Sequence, residues 1–111
     1  MPALASPRPD FEAQVRFLSS ADGGRSGPCR TGYFPNHDFG IPGILNDARH
    51  TFPDVEEVQP GDTVKSQLTL VDPAQQRGRL YKGFTFTVQE GRRIVGHGRI
   101  TKVLNRDLRR A

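Results

Sequence analysis

Few side chains in this sequence have the types and spacing that bond-making chemistry demands. His37, His50 and His97 share no metal-ligand spacing with one another or with the single cysteine, Cys29, and there is no Cys-x-x-Cys or His-Glu-x-x-His. Cys29 with His37 would need a third group to orient the base, and the sequence offers none. Gly23-Gly24-Arg25 lacks the lysine and hydroxyl of a phosphate-binding loop. Gly96-His97-Gly98 lacks the strand–turn–helix setting of a dinucleotide site. Glu56 and Glu57 are sequence neighbours whose side chains diverge, as on a solvated surface. The expectation is therefore no enzyme, no catalytic residue, no metal, no cofactor and no small-molecule substrate.

Charge offers a different chemistry. Of the 16 Lys and Arg, 13 are Arg, whose planar fork suits bidentate contact with phosphate. Residues 1–75 hold six basic and ten acidic side chains, a net −4, while residues 76–111 hold ten and two, a net +8. The basic part contains Arg77, Arg79 and Lys82 in one stretch and Arg92 and Arg93 in another. Such a surface binds a polyanion or is simply solvated; charge speaks to partners and not to fold.

Strands are the elements left to position these groups. Phe11 to Leu18 alternates apolar and polar residues strictly, and Asp62 to Val71 places Val64, Ser66, Leu68 and Leu70 on one face. Phe84 to Gln89 alternates again, Glu90-Gly91-Arg92 is a tight connection, and Arg93 to Leu104 returns as the second arm of a hairpin. The expected core is Phe11, Val15, Phe17, Val64, Leu68, Leu70, Phe84, Phe86 and Val88. Gly96 and Gly98, two apart, predict a bend or the close approach of another backbone. Prolines restrict residues 29–46 to short strand fragments. Residues 47–58 read as an acidic loop with room for one helical turn at Val55–Val58, and residues 74–82 as a basic connector. One all-β domain follows, a sandwich or a barrel, over residues 11–104, with a flexible leader at 1–10 and a basic tail at 105–111. No apolar run is long enough for a signal peptide or a membrane helix, so the expected setting is the cytoplasm, with no membrane partner.

Several fragments in order carry a resemblance: Phe11-Glu12-Ala13, Leu18-Ser19, Gly23-Gly24-Arg25, Pro28, Gly32-Tyr33, Pro35, Val58, Pro60-Gly61-Asp62, Glu90-Gly91-Arg92, Val95-Gly96, Gly98 and Lys102-Val103-Leu104. From about Phe11 to Leu104 the chain resembles the C-terminal β-barrel, the third domain, of bacterial elongation factor Tu. The resemblance implies a closed six-stranded antiparallel barrel without a catalytic role. In that family the domain packs on a GTPase domain and holds one side of the T-stem of tRNA. With no GTPase domain in this sequence, tRNA delivery coupled to GTP hydrolysis is not expected of it alone.

The family's T-stem contacts fall on positions matching Glu90-Gly91-Arg92 and on the strand matching Gly32 to Asn36, here with Tyr33 and Asn36. The family has an arginine where this chain has Phe34 and a glutamine where it has Asn36, and the segment 37–43 is shortened. The connector carrying Arg77, Arg79 and Lys82 is longer than the family's and extends a basic patch with Arg92, Arg93 and Arg99. Two functions follow as alternatives. One is a module binding tRNA or another structured RNA through Arg77, Arg79, Lys82, Glu90, Gly91, Arg92, Arg93, Tyr33 and Asn36. The other is a protein–protein module that mimics that domain, as partner of a translation factor, toxin or regulator and without RNA binding, anchored by Tyr81 and Phe34.

Overall fold

The computed structural model of the protein describes residues 8–111. Among these, six antiparallel strands close a barrel in the order β1-β4-β3-β2-β5-β6. The strands are β1 Phe11–Phe17, β2 Asn36–Asp38, β3 Asn46–Thr51, β4 Thr63–Leu70, β5 Thr85–Glu90 and β6 Arg93–Val103. Two short 3-10 turns, Pro73–Gln76 and Arg106–Leu108, lie outside the barrel wall. No helix among the described residues is long and apolar enough to cross a membrane.

Period-two burial builds the core. Phe11, Ala13, Val15 and Phe17 point inward from β1, Ser66, Leu68 and Leu70 from β4, and Phe86 and Val88 from β5. Phe86 is buried and Thr85 exposed, which is the register expected from the alternation. Val64 and Phe84 are only partly buried and pack on the edge of the core. Phe11 meets Phe39 and Phe86 edge-on, at centroid distances of 5.9 and 5.7 Å. The paired glycines of β6 make room for this cluster. A Cβ on Gly98 would fall inside the Phe86 ring, and one on Gly96 would press on the Arg16 carbonyl at 3.1 Å. At Gly98 it is thus an aromatic ring, not another backbone, that makes the close approach.

The acidic loop expected at 47–58 is corrected in its first half: Asn46–Thr51 is strand β3. Its inward residues are Asn46, Ala48 and His50, polar or small, so hydrophobic alternation could not reveal it. The helical turn expected at Val55–Val58 does not form. Val58 instead pairs with Cys29 through two backbone hydrogen bonds of 2.8 and 2.9 Å. Residues 105–111 do not hang free as a tail. Leu108 is 1% exposed, the Leu80 N–H donates to the Leu108 carbonyl at 2.7 Å, and Arg110 N–H donates to Leu80. Of the leader expected over 1–10, residues 1–7 lie outside the described residues. Asp10 is clamped: its carboxylate accepts from Leu70 N–H at 2.7 Å and from Asn105 Nδ2 at 2.9 Å.

Two histidines occupy the barrel centre, both fully buried. His37 Nδ1 faces the Asn46 carbonyl at 2.9 Å, an acceptor only, so that nitrogen carries the proton. His37 Nε2 then accepts from His50 Nε2 at 2.8 Å, and His50 Nδ1 accepts from the Ser66 hydroxyl at 2.7 Å. In these tautomers both rings are neutral and every ring nitrogen has a partner. Burial pushes His37 down to about 4, and burial with the neighbouring His37 pushes His50 well below its usual value.

Two expectations follow. Gly98→Ala should destabilise the fold by about 1–3 kcal/mol through overpacking. Phe86→Leu should suppress part of that loss, measured as a non-additive double-mutant cycle in urea unfolding. Stability should also fall with acid. An imidazole in the unfolded chain takes a proton near pH 6.5 while folded His37 refuses it until about pH 4. Stability is therefore full above pH 6.5 and declines by on the order of 3 kcal/mol for His37 alone as pH drops to 4. Unfolding curves that do not change between pH 7 and pH 4 would contradict two neutral buried rings.

Candidate nucleic-acid interface

The β5–β6 hairpin turns through Gly91 and Arg92 between the paired residues Glu90 and Arg93. Gly91 has φ +64° and no non-glycine residue has positive φ among the described residues, which gives a two-residue turn with glycine at its first position. Three side chains fix the turn to the rest of the barrel. The Arg25 guanidinium pairs with the Glu90 carboxylate. The Tyr33 hydroxyl donates to the same carboxylate at 2.6 Å, and Arg25 lies 4.8 Å over the Tyr33 ring. Burial would raise Glu90, but the bonds from Tyr33 and Arg25 outweigh it and hold the carboxyl below its usual range. Burial, then the Glu90 charge, pushes the Tyr33 phenol up.

Asn36 completes the arrangement from β2. Its Nδ2 donates to Asp47 at 2.6 Å and its Oδ1 accepts from the Gly91 N–H at 3.3 Å. The Gly91 N–H, expected to meet RNA directly, is thus already engaged within the domain. Register explains the contact, since Asn36 pairs with Gln89 on β5. Tyr33, Asn36, Glu90 and Gly91 are therefore brought together. Arg25 joins them; it stood in the Gly-Gly-Arg segment but nothing in its spacing linked it to Glu90.

The connector residues do not join this group. Gly83 N–H donates to the Ile100 carbonyl, and β5 then runs from Thr85 to Glu90 before the turn. At about 3.3 Å per residue, that strand keeps Lys82 roughly 17 Å or more from the hairpin tip. Arg79 is drawn into the fold: it donates to the Gln76 side chain and, at 3.1 Å, to the Phe39 carbonyl. Arg77 and Lys82 are exposed. Lys82 shares a concavity with Tyr81, Lys102, Arg109 and Arg110, and Arg110 covers the Tyr81 ring at 4.0 Å. Arg92 and Arg93 are exposed at the opposite end and form no ion pair among the described residues.

Potential chemistry elsewhere is muted. Burial pushes the Cys29 thiol up to about 11, so it stays protonated at neutral pH. No cluster of three or more His, Cys, Asp or Glu among the described residues is placed to hold a metal.

A closed six-stranded antiparallel barrel agrees with the comparison against known families. The model of the elongation factor Tu C-terminal domain matches residues 5–104 of the 111. The chain belongs to this family. Elongation factor Tu C-terminal domains are non-catalytic β-barrels with translation-related interactions. In this member the packing runs past the family match, through Leu108.

Tyr33→Phe removes one donor to a charged acceptor. It should cost about 1–2 kcal/mol and raise the Glu90 pKa. Carboxyl titration by NMR reads the shift, and an unmoved Glu90 would mean that the tyrosine does not bond it in solution.

Proposed function

We propose that this domain is a non-enzymatic module that binds tRNA or another structured RNA by its phosphates, with Arg92 and Arg93 on the hairpin as the principal contacts. One observation carries the reading. The only acid of the hairpin, Glu90, is neutralised from within by Arg25 and Tyr33, so the turn offers solvent the two guanidinium groups beyond it. The Asn36–Gly91 bond keeps that turn in one place. Contacts of this kind position a phosphate backbone without reading sequence, and a stem displays such a backbone along its groove edges. Arg77 and Lys82, at the far end, belong to a separate basic group that a longer RNA would reach. Arg79 is assigned to structure.

A protein partner is the second reading, and exposed apolar side chains favour it. Phe34 is 52% exposed and Ile94 40% exposed. Ile94 lies in register with Gln89, which pairs with Asn36, so apolar surface borders the same turn. Tyr81 is a weaker anchor than its exposure implies, because Arg110 already covers it.

Fluorescence anisotropy with a labelled RNA stem-loop across a salt series separates the readings. The wild type should bind with log K falling as log salt rises. Arg92→Glu with Arg93→Glu should weaken binding and reduce the salt slope by about 2. An unchanged slope in the double variant would move the RNA contact off the hairpin. Phe34→Ala with Ile94→Ala should leave RNA affinity intact.

A further inference from the structure

The register of three neighbouring strands places six polar side chains in a two-row grid on the outside of the barrel. Gln14 on β1 opposes Arg99 on β6, which opposes Thr85 on β5. In the next row Arg16 opposes His97, which opposes Thr87. Directly opposed side chains on one face stand about 5 Å apart, and diagonal ones such as Arg16 and Arg99 about 7–8 Å. Five of the six are exposed and Thr87 is partly so. Thr87 bonds to Gln89, but the other five make no side-chain hydrogen bond or ion pair among the described residues. Other polar side chains of the barrel do have partners, among them Arg25, Arg30, Arg79, Asn36, Asn46, His37 and His50.

The grid lines a shallow concavity of about 690 Å³ that reaches from Thr63 on β4 to Asp38 on β2, across five neighbouring strands. At about 4.8 Å per strand this is much longer than one phosphate. Its floor is Gly98 and the buried Phe86, and no exposed Phe, Tyr or Trp lines it. The one carboxylate in the lining, Asp38, stands at the β2 end and accepts from the Gly40 N–H at 2.7 Å. The cations therefore lie in the middle of the groove, and the acid marks its limit.

We infer that the outer face of β1, β6 and β5 is a second RNA-binding surface, in which Arg16, Arg99 and His97 take the phosphates of a backbone lying across the strands. Gln14 and Thr85 supply neutral donors to the same backbone. The inference rests on the reading of the domain as an RNA-binding module and adds a contact face separate from the hairpin.

The test uses the full chain and a labelled RNA stem-loop, with anisotropy read across a potassium chloride series. Arg16→Glu with Arg99→Glu should lower affinity by about tenfold or more and reduce the salt slope by about 2. Arg16→Gln with Arg99→Gln should give a smaller loss in the same direction, and circular dichroism should show both variants folded. The hairpin variant Arg92→Glu with Arg93→Glu is measured in parallel. Loss in the β1–β6 variants alone upholds this face and overturns the hairpin contact. Loss in the hairpin variant alone, with folded β1–β6 variants binding like wild type, overturns this face and leaves the hairpin. Loss in both supports two faces. A wild type that binds no RNA at low salt overturns both.

Discussion

The contact between two neutral imidazoles at the centre of the barrel ties its shortest strand to the next two in sheet order. β2 is three residues long and contributes few backbone hydrogen bonds of its own. His37 fastens it to His50 on β3, and His50 reaches Ser66 on β4. Through Asn46 the polar chain continues to Gln76 at 2.7 Å, and Gln76 in turn accepts from Arg79 in the connector. In a low-dielectric interior each such bond is strong, and each missing partner is costly. No buried side-chain nitrogen or oxygen among the described residues lacks one. The hairpin depends on this chain at one remove. Asn36 is the neighbour of His37, and its side chain holds the Gly91 N–H.

That polar centre also explains what could be read from the sequence. β1, β4, β5 and β6 bury mostly Phe, Val, Leu and Ile on alternate positions, with Ala13, Ser66, Gly96 and Gly98 among them, and the alternation is visible in the residues alone. β3 has the same period, but with Asn46, Ala48 and His50 inward it looks like a loop. A pattern search for hydrophobic residues finds strands whose inner face is hydrophobic. It has no means of recognising a strand whose inner face is satisfied by hydrogen bonds. Leu80 and Leu108 were hidden for another reason: each is a lone apolar residue in a basic stretch, and only the pairing of the two chain segments buries them.

The candidate site was legible in part. The positions of Tyr33, Asn36, Glu90 and Gly91 came from the resemblance, and the register brings them together. The internal use of Glu90 and of the Gly91 N–H was not legible, because both depend on partners 55 to 65 residues away. The spread of the basic residues was not legible for a simple geometric reason. A charge count along the chain treats residues 82 to 93 as neighbours, but β5 is extended between Lys82 and the hairpin tip and separates them. Arg79 shows the other limit: a cation near an unpaired carbonyl and an amide becomes a structural donor and leaves the surface set.

Closure of the barrel constrains recognition further. β1 pairs with β4 and β6, β2 with β3 and β5, and no strand of the six is left at an edge. A partner cannot add a strand to such a wall, so main-chain recognition of an extended peptide by β-augmentation is closed to it. Binding has to use outward side chains and turns. On this barrel those divide into groups already engaged by neighbours and groups left to solvent. The engaged set includes Glu90 and the connector's Arg79, whereas Arg92 and Arg93 at the hairpin tip and Arg16 and Arg99 on the β1–β6 face form no ion pair among the described residues. The proposed phosphate contacts rest on this local difference and not on the modest net charge of +4 of the whole chain.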